Sequence, residues 1–130
     1  NFKYKKNTAY LHSDNNLMPK KKNAWSSWNS ILDKNDLNKN CVTYWLNKLQ
    51  NLKTDNNYFL TLNPIINIDH NKIIKKIEFT HPFYDNKTIE AQKYLKDLQG
   101  LNNSWFCGSY FGYGFHEDGL KSAIEISDKL

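Results

Sequence analysis

The sequence predicts an α/β fold (mixed α+β), with strands through its first 80 residues and a helix–strand–helix order after them. Three observations predict it. Tyr58–Leu62 is a short apolar run stopped by Asn63-Pro64, and Lys72–Thr80 carries Ile73, Ile74, Ile77 and Phe79 in an extended pattern, so both read as strands. Ala91, Tyr94, Leu95 and Leu98 fall at helical offsets behind two capping candidates, Asp85 and Thr88. Leu120, Ala123 and Ile124 repeat that spacing, and Leu130 extends the stripe.

The elements follow in order. Asn7–His12 reads as a strand, Ser13–Asn16 as a turn, and Leu17-Met18-Pro19 returns the chain to the core. Asn23–Asn29 alternates small polar with large aromatic residues, the pattern of a half-buried strand. Leu32–Asn40, rich in Asp, Asn and Lys, is a loop. Cys41–Gln50 fits two periods. Val42, Trp45, Leu46 and Leu49 match a helix, whereas Val42, Tyr44 and Leu46 match a strand. Its β-branched and aromatic start favours a strand that passes into a helical turn. Lys53–Asn57 is a polar break, and His81-Pro82 should end the extended segment and turn the chain. Gly100 is placed to terminate the first helix, and Trp105-Phe106-Cys107 should form a short buried strand. No internal repeat or linker interrupts the chain.

With 130 residues the chain fits one domain. Its hydrophobic share is 39% and its mean hydropathy −0.78, and no apolar stretch approaches the roughly 20 residues of a membrane helix. Neither an initiating Met nor a signal-peptide core stands at Asn1, as expected of a chain cut in mid-protein. The net charge is +5, but every basic residue is Lys and Asn and Ile abound. That usage reflects an AT-rich coding sequence, so no nucleic-acid partner is expected. Lys20-Lys21-Lys22 reads as a solvated loop. Cys41 and Cys107 form no CxxC; buried structural thiols in a reducing cytoplasm are expected, with a single disulfide as the alternative. A membrane-peripheral position is the second option for location. His12, His70 and His81 lack ligand spacing with each other or with the cysteines, so no metal is expected.

Trp105–Ala123 is the most informative stretch. A short apolar run ends at Gly108, a crossing rich in glycine and aromatics follows, and His116-Glu117-Asp118-Gly119 opens a helix. The order places unpaired N–H groups and roughly half a positive charge at a strand end, where open α/β sheets bind cofactors. Gly108 permits close backbone approach, and Gly112 and Gly114 clear one side of the crossing. His116, Glu117 and Asp118 are also candidates for proton transfer. The commoner role for such residues is to complement the helix dipole, so the catalytic residues stay unknown.

This segment resembles the closing FAD-contacting segment of the flavin-containing amine oxidase superfamily, most closely a bacterial branch of predicted NAD/FAD-binding proteins. Leu11–Asp14 with Leu17–Pro19, Ala24–Asn29, Val42–Asn47, Leu60–Pro64, His81-Pro82, Ala91-Gln92 and Leu98–Gly100 extend the resemblance along the chain. It implies the C-terminal portion of an FAD/NAD(P)-binding amine-oxidase-like fold. Residues 1–80 would be a β-rich part of the substrate-side region, and 81–130 the helix–strand–helix closing segment of the FAD-binding domain. The implied activity is hydride transfer from a substrate C–H to FAD, on a small-molecule or lipid (fatty-acyl) substrate. The implied partner is the remainder of the parent chain. Gly108 and Ser109 would lie near the ribityl–pyrophosphate portion. Phe115, His116, Glu117, Asp118 and Gly119 would frame the pyrimidine edge of the ring. Two departures stand out: Ser109 replaces the usual acidic residue, and Glu117-Asp118-Gly119 replaces Glu-Gly. The GxGxxG fingerprint of the adenosine-binding βαβ unit is absent, so the fragment alone is expected to be inactive. The rival reading is a stand-alone binding module that uses aromatics and Lys to hold a polyanion or a sugar.

Overall fold

The computed structural model describes residues 2–129. A five-stranded antiparallel sheet has the order β2-β3-β4-β1-β5. Its strands are β1 (Lys3–His12), β2 (Trp28–Leu32), β3 (Asn40–Trp45), β4 (Phe59–Leu62) and β5 (Ile73–Phe83). The helices among the described residues are α1 (Leu46–Leu49), α2 (Asn86–Gln92) and α3 (His116–Ser127). The fold is therefore mixed α+β. The chain forms two compact units, Lys6–Phe79 and the segment from Thr80 onward with the residues up to Lys5.

In the first unit, alternation sets the register. Thr43 pairs with Thr61 across β3 and β4, and His12 pairs with Phe59 across β1 and β4. Ala9, Leu17, Cys41 and Phe59 are sealed from solvent, and the Trp25 ring packs edge-on against Trp45 and Phe59. β3 runs directly into α1, as the double period of Cys41–Gln50 predicts. Asn63, at φ 48°, ends β4 in the left-handed region that Asn tolerates.

Three expectations are corrected here. Asn23–Asn29 is not a strand: a 3₁₀ turn covers Lys22–Ala24 and β2 starts only at Trp28. The Asn29 carboxamide bonds both the N–H and the C=O of Ser26, which bends the chain before the strand. His81-Pro82 does not end the extended segment, because β5 continues to Phe83. β5 is an edge strand, where a missing N–H is tolerated. The thiols differ as well: Cys41 is buried, Cys107 is exposed, and both are free.

In the second unit, Asp85 caps α2 by accepting from Thr88 N at 2.8 Å. The helix stops at Gln92, and Leu95 is buried while Tyr94 and Leu98 are exposed, so the expected inner face is only partly inner. Gly100 (φ +82°) stands before a 3₁₀ turn, Leu101–Asn103, rather than closing α2. Trp105-Phe106-Cys107 forms no strand, and Phe106 is exposed. The Gln99 side chain takes the place of a neighbouring strand: its Oε1 accepts from Phe106 N at 2.9 Å and its Nε2 donates to Phe106 O at 2.8 Å.

α3 turns a different face inward from the one expected. Ser122 is buried and Gly119 and Ile126 are half-buried, while Leu120, Ala123 and Ile124 face solvent. Leu130, the expected end of the apolar stripe, lies outside the described residues.

Candidate functional site

The seven residues singled out by sequence all lie on the crossing from Gly108 to α3, and the structure divides them. Gly108, Ser109 and Gly119 come together. A β-carbon added at Gly119 would lie 3.5 Å from Ser109 N and 3.8 Å from Gly108 C, so the first turn of α3 rests on that backbone. Phe115, His116 and Glu117 stand exposed at the helix start.

Three polar side chains staple the crossing. Asp118 Oδ2 accepts from Tyr113 N at 2.9 Å and from Phe115 N at 3.0 Å. From α2, Gln92 Nε2 donates to Tyr110 O at 3.0 Å and to Gly112 O at 2.6 Å. Ser122 Oγ accepts from Gly108 N at 2.9 Å and donates to Gly119 O at 2.8 Å. The Gly108 amide and the Asp118 carboxylate are therefore engaged within the chain. The first-turn N–H groups of His116 and Glu117 have no acceptor inside the helix. Sequence reasoning noted Gln92 only as part of the resemblance and gave neither Gln92 nor Ser122 a place in the site. The one signal for Ser122 is that it follows Gly119 at an offset of three, giving α3 a stripe of small residues.

Beneath the crossing, the Tyr84 hydroxyl is shielded from solvent and has no hydrogen-bond partner among the described residues. A β-carbon at Gly114 (φ +94°) would come within 2.9 Å of it. Burial, with the negative charge of Asp118 adding to it, pushes the Tyr84 phenol above its ordinary range.

The Lys6–Phe79 unit contains a buried polar axis that the sequence did not reveal. His12 is 0% exposed, and its Nδ1 accepts from Asp14 N at 3.1 Å. The ring is thereby fixed as the neutral form with its proton on Nε2, which donates to Thr61 Oγ1 at 2.8 Å. Thr61 Oγ1 lies 2.8 Å from Thr43 Oγ1, so the chain of hydrogen bonds crosses β1, β4 and β3. Burial holds the His12 pKa below its ordinary value, against the charge and amide of Asp14. The Asp14 carboxyl is buried too. That opposes its charge, but N–H groups of Asp69 and Asn16 and the Lys72 ammonium outweigh the effect and lower its pKa.

Hollows open on this unit. One, of about 480 Å³, is lined by Ser13, Asn15, Asp55, Asn56, Asn57 and Tyr58 with Ile74. Another, of about 350 Å³, is lined by Tyr10, Ile73 and the segment 64–70. Among the described residues no cluster of three His, Cys, Asp or Glu side chains is arranged to hold a metal, and no helix is long and apolar enough to cross a membrane.

No protein-family model matches the chain, and a search of the curated proteins finds no match to it.

Proposed function

We propose that this chain is the C-terminal part of an FAD-dependent oxidoreductase of the amine-oxidase type, with the start of α3 turned toward the flavin ring. The observation that carries this reading is the exposed helix start. Phe115, His116 and Glu117 are open to solvent, and two first-turn amides are available to an electron-rich group. The contact set narrows accordingly. Backbone groups of His116 and Glu117 meet the ring edge, and Phe115 lies beside them. Gly119 faces the Gly108–Ser109 backbone, with room for little more than a β-carbon between them. Asp118 acts by holding the crossing, since its carboxylate is already bonded to the Tyr113 and Phe115 amides.

FAD, when bound, accepts a hydride from a substrate C–H. The chain's own part is to orient the ring edge and set the field there. Asp118 and Glu117 partly offset the helix dipole, so a Glu117→Gln substitution strengthens the pull on electron density at that edge. The exposed stripe Leu120, Ala123 and Ile124 also supports the reading, because an apolar helix face of this kind is normally covered within a larger protein.

The test is to express the complete reading frame containing this chain, including any coding sequence before Asn1. A yellow protein with a flavin absorbance band is expected. Gly119→Leu, which sets a branched side chain against the Ser109 backbone, should release much of the flavin. A complete protein that neither carries nor takes up added FAD overturns the proposal.

The second reading, a stand-alone module that binds a sugar, is favoured by the polar hollow of Asn15, Asp55, Asn56, Asn57 and Tyr58. Saturable binding of a sugar to the 130-residue chain, with no flavin in the complete protein, would select it.

A further inference from the structure

We infer that the hollow beneath residues 64–70 is a preformed binding site for a small uncharged amphipathic molecule: a ring or short apolar chain that ends in a hydroxyl, amide or carbonyl group. The inference concerns the Lys6–Phe79 unit alone and does not require FAD.

The covering segment is a strap pinned at both ends. At the first end, Asn63 N donates to Thr8 O at 2.8 Å and Thr8 N donates to Asn63 Oδ1 at 2.9 Å. Asn63 Nδ2 adds a bond to Asn7 Oδ1 at 2.8 Å. At the second end, Asp69 N donates to the buried Asp14 Oδ2 at 3.0 Å. Lys72 reaches Asp14 at 3.5 Å and Asp69 at 3.9 Å, and Ser13 N bonds Lys72 O at 3.0 Å. A strap fixed in this way holds its hollow open without a ligand, so little ordering entropy opposes binding.

The walls define the chemistry. Ile66, Ile68 and Ile73 supply apolar surface, and Tyr10 of β1 lines the hollow with them. Ile68 is buried, which makes it part of the wall, while Ile66 is 42% exposed and sits at the mouth. The polar groups are the Tyr10 hydroxyl, the Asn67 carboxamide and the His70 imidazole. All three donate or accept without carrying a permanent charge. Of the lysines on the flanking segments, Lys72 pairs with Asp14 and Asp69, and Lys76, which also interacts with Tyr10, pairs with Glu78 at 3.0 Å. No Lys, Asp or Glu is among the lining residues, so a charged ligand would enter without a counter-charge. At about 350 Å³ the hollow has room for a small molecule, and its mixed lining of isoleucines and polar side chains suits a ligand that is part apolar and part polar.

The test is an amide-shift titration of the 130-residue protein with 3-phenylpropan-1-ol, and with 3-phenylpropanoate as the charged counterpart. Saturable shifts are expected at Tyr10 and across Ile66–Ile73 with the alcohol, and affinity roughly tenfold or more weaker with the carboxylate. Tyr10→Phe should weaken the alcohol roughly three- to tenfold while leaving the spectrum folded. Ile73→Trp should fill the hollow and abolish binding; if the larger residue disturbs the strand, Ile66→Asp, which replaces apolar lining with a carboxylate, should weaken it. Shifts that stay linear to the solubility limit, equal or tighter binding of the carboxylate, or indifference to all three substitutions would each overturn the assignment.

Discussion

The sheet unit and the C-terminal unit become ordered by different means. Within Lys6–Phe79, Ala9, Leu17, Cys41 and Phe59 are closed off from solvent, and the polar groups among them are paired across strands. From Thr80 onward, Leu95 is the one large apolar side chain buried among the described residues. Phe83, Tyr94, Leu101, Phe106, Phe115, Leu120 and Ile124 remain exposed. That segment is held instead by side chains bonding backbone: Asp85, Gln92, Gln99, Asp118 and Ser122. The contrast separates two sources of order. Apolar burial is shared among many contacts and is lost cooperatively, whereas each polar staple holds a few residues and can be removed by itself.

The largest expected effect tests that difference directly. Phe59→Ala empties the centre of the sheet unit and should cost about 3–5 kcal/mol, a large part of a typical domain's stability. Urea unfolding followed by tryptophan fluorescence would report it, since Trp25 and Trp45 lie in that unit and Trp25 packs on Phe59. Asp118→Ala should behave otherwise. It takes the acceptor from two exposed amides, which water can then serve, at a cost of about 0.5–1.5 kcal/mol, and the loss should appear as faster hydrogen exchange at Tyr113 and Phe115 with the sheet's protection unchanged. Global loosening in Asp118→Ala would erase the distinction between the two units.

Acid provides an intermediate test, confined to the sheet. The folded His12 binds a proton less readily than the unfolded residue, whose ordinary pKa is 6.5. Its contribution is therefore complete above about pH 6.5 and declines as pH falls toward the lower folded value. Protonating Nδ1 would also break the bond from Asp14 N. Stability measured by urea should fall between pH 7 and pH 5 in the native protein. His12→Leu should flatten that slope, though its overall stability will drop because Thr61 loses its donor. An unchanged slope in His12→Leu would show that the ring does not govern the acid response.

What was legible in the sequence follows the same division. Cys41–Gln50 carried both a strand and a helix period, and the chain uses both in succession. Asp85 was readable as a cap because the signal is local, lying three residues from the N–H that it accepts. Trp105-Phe106-Cys107 misled because three apolar residues do not tell whether a strand edge lies within reach. Here the partner is the Gln99 side chain. The His12–Thr61–Thr43 axis joins residues 49 and 18 positions apart, so it exists only once the register of three strands is known. On α3 two stripes have equally good helical spacing, and hydrophobicity pointed to Leu120 and Ile124, although the small residues Gly119 and Ser122 pack inward.

The smallest expected effect concerns that choice of face. Gly119 is an interior helical residue, and glycine there is about 0.5–1 kcal/mol less favourable than alanine. The added β-carbon would meet Ser109 N at 3.5 Å and Gly108 C at 3.8 Å, ordinary contact distances, so no steric cost offsets the gain. Gly119→Ala should therefore raise stability by about that amount, read as slower exchange along α3 and a small rise in Tm. Gly114→Ala should do the opposite, because Gly114 holds φ +94° and its β-carbon would press on the Tyr84 hydroxyl at 2.9 Å. The sign of the Gly119 change is informative. A loss would mean that α3 lies closer to the Gly108–Ser109 backbone than these distances allow, with the small-residue face under compression and not merely in contact.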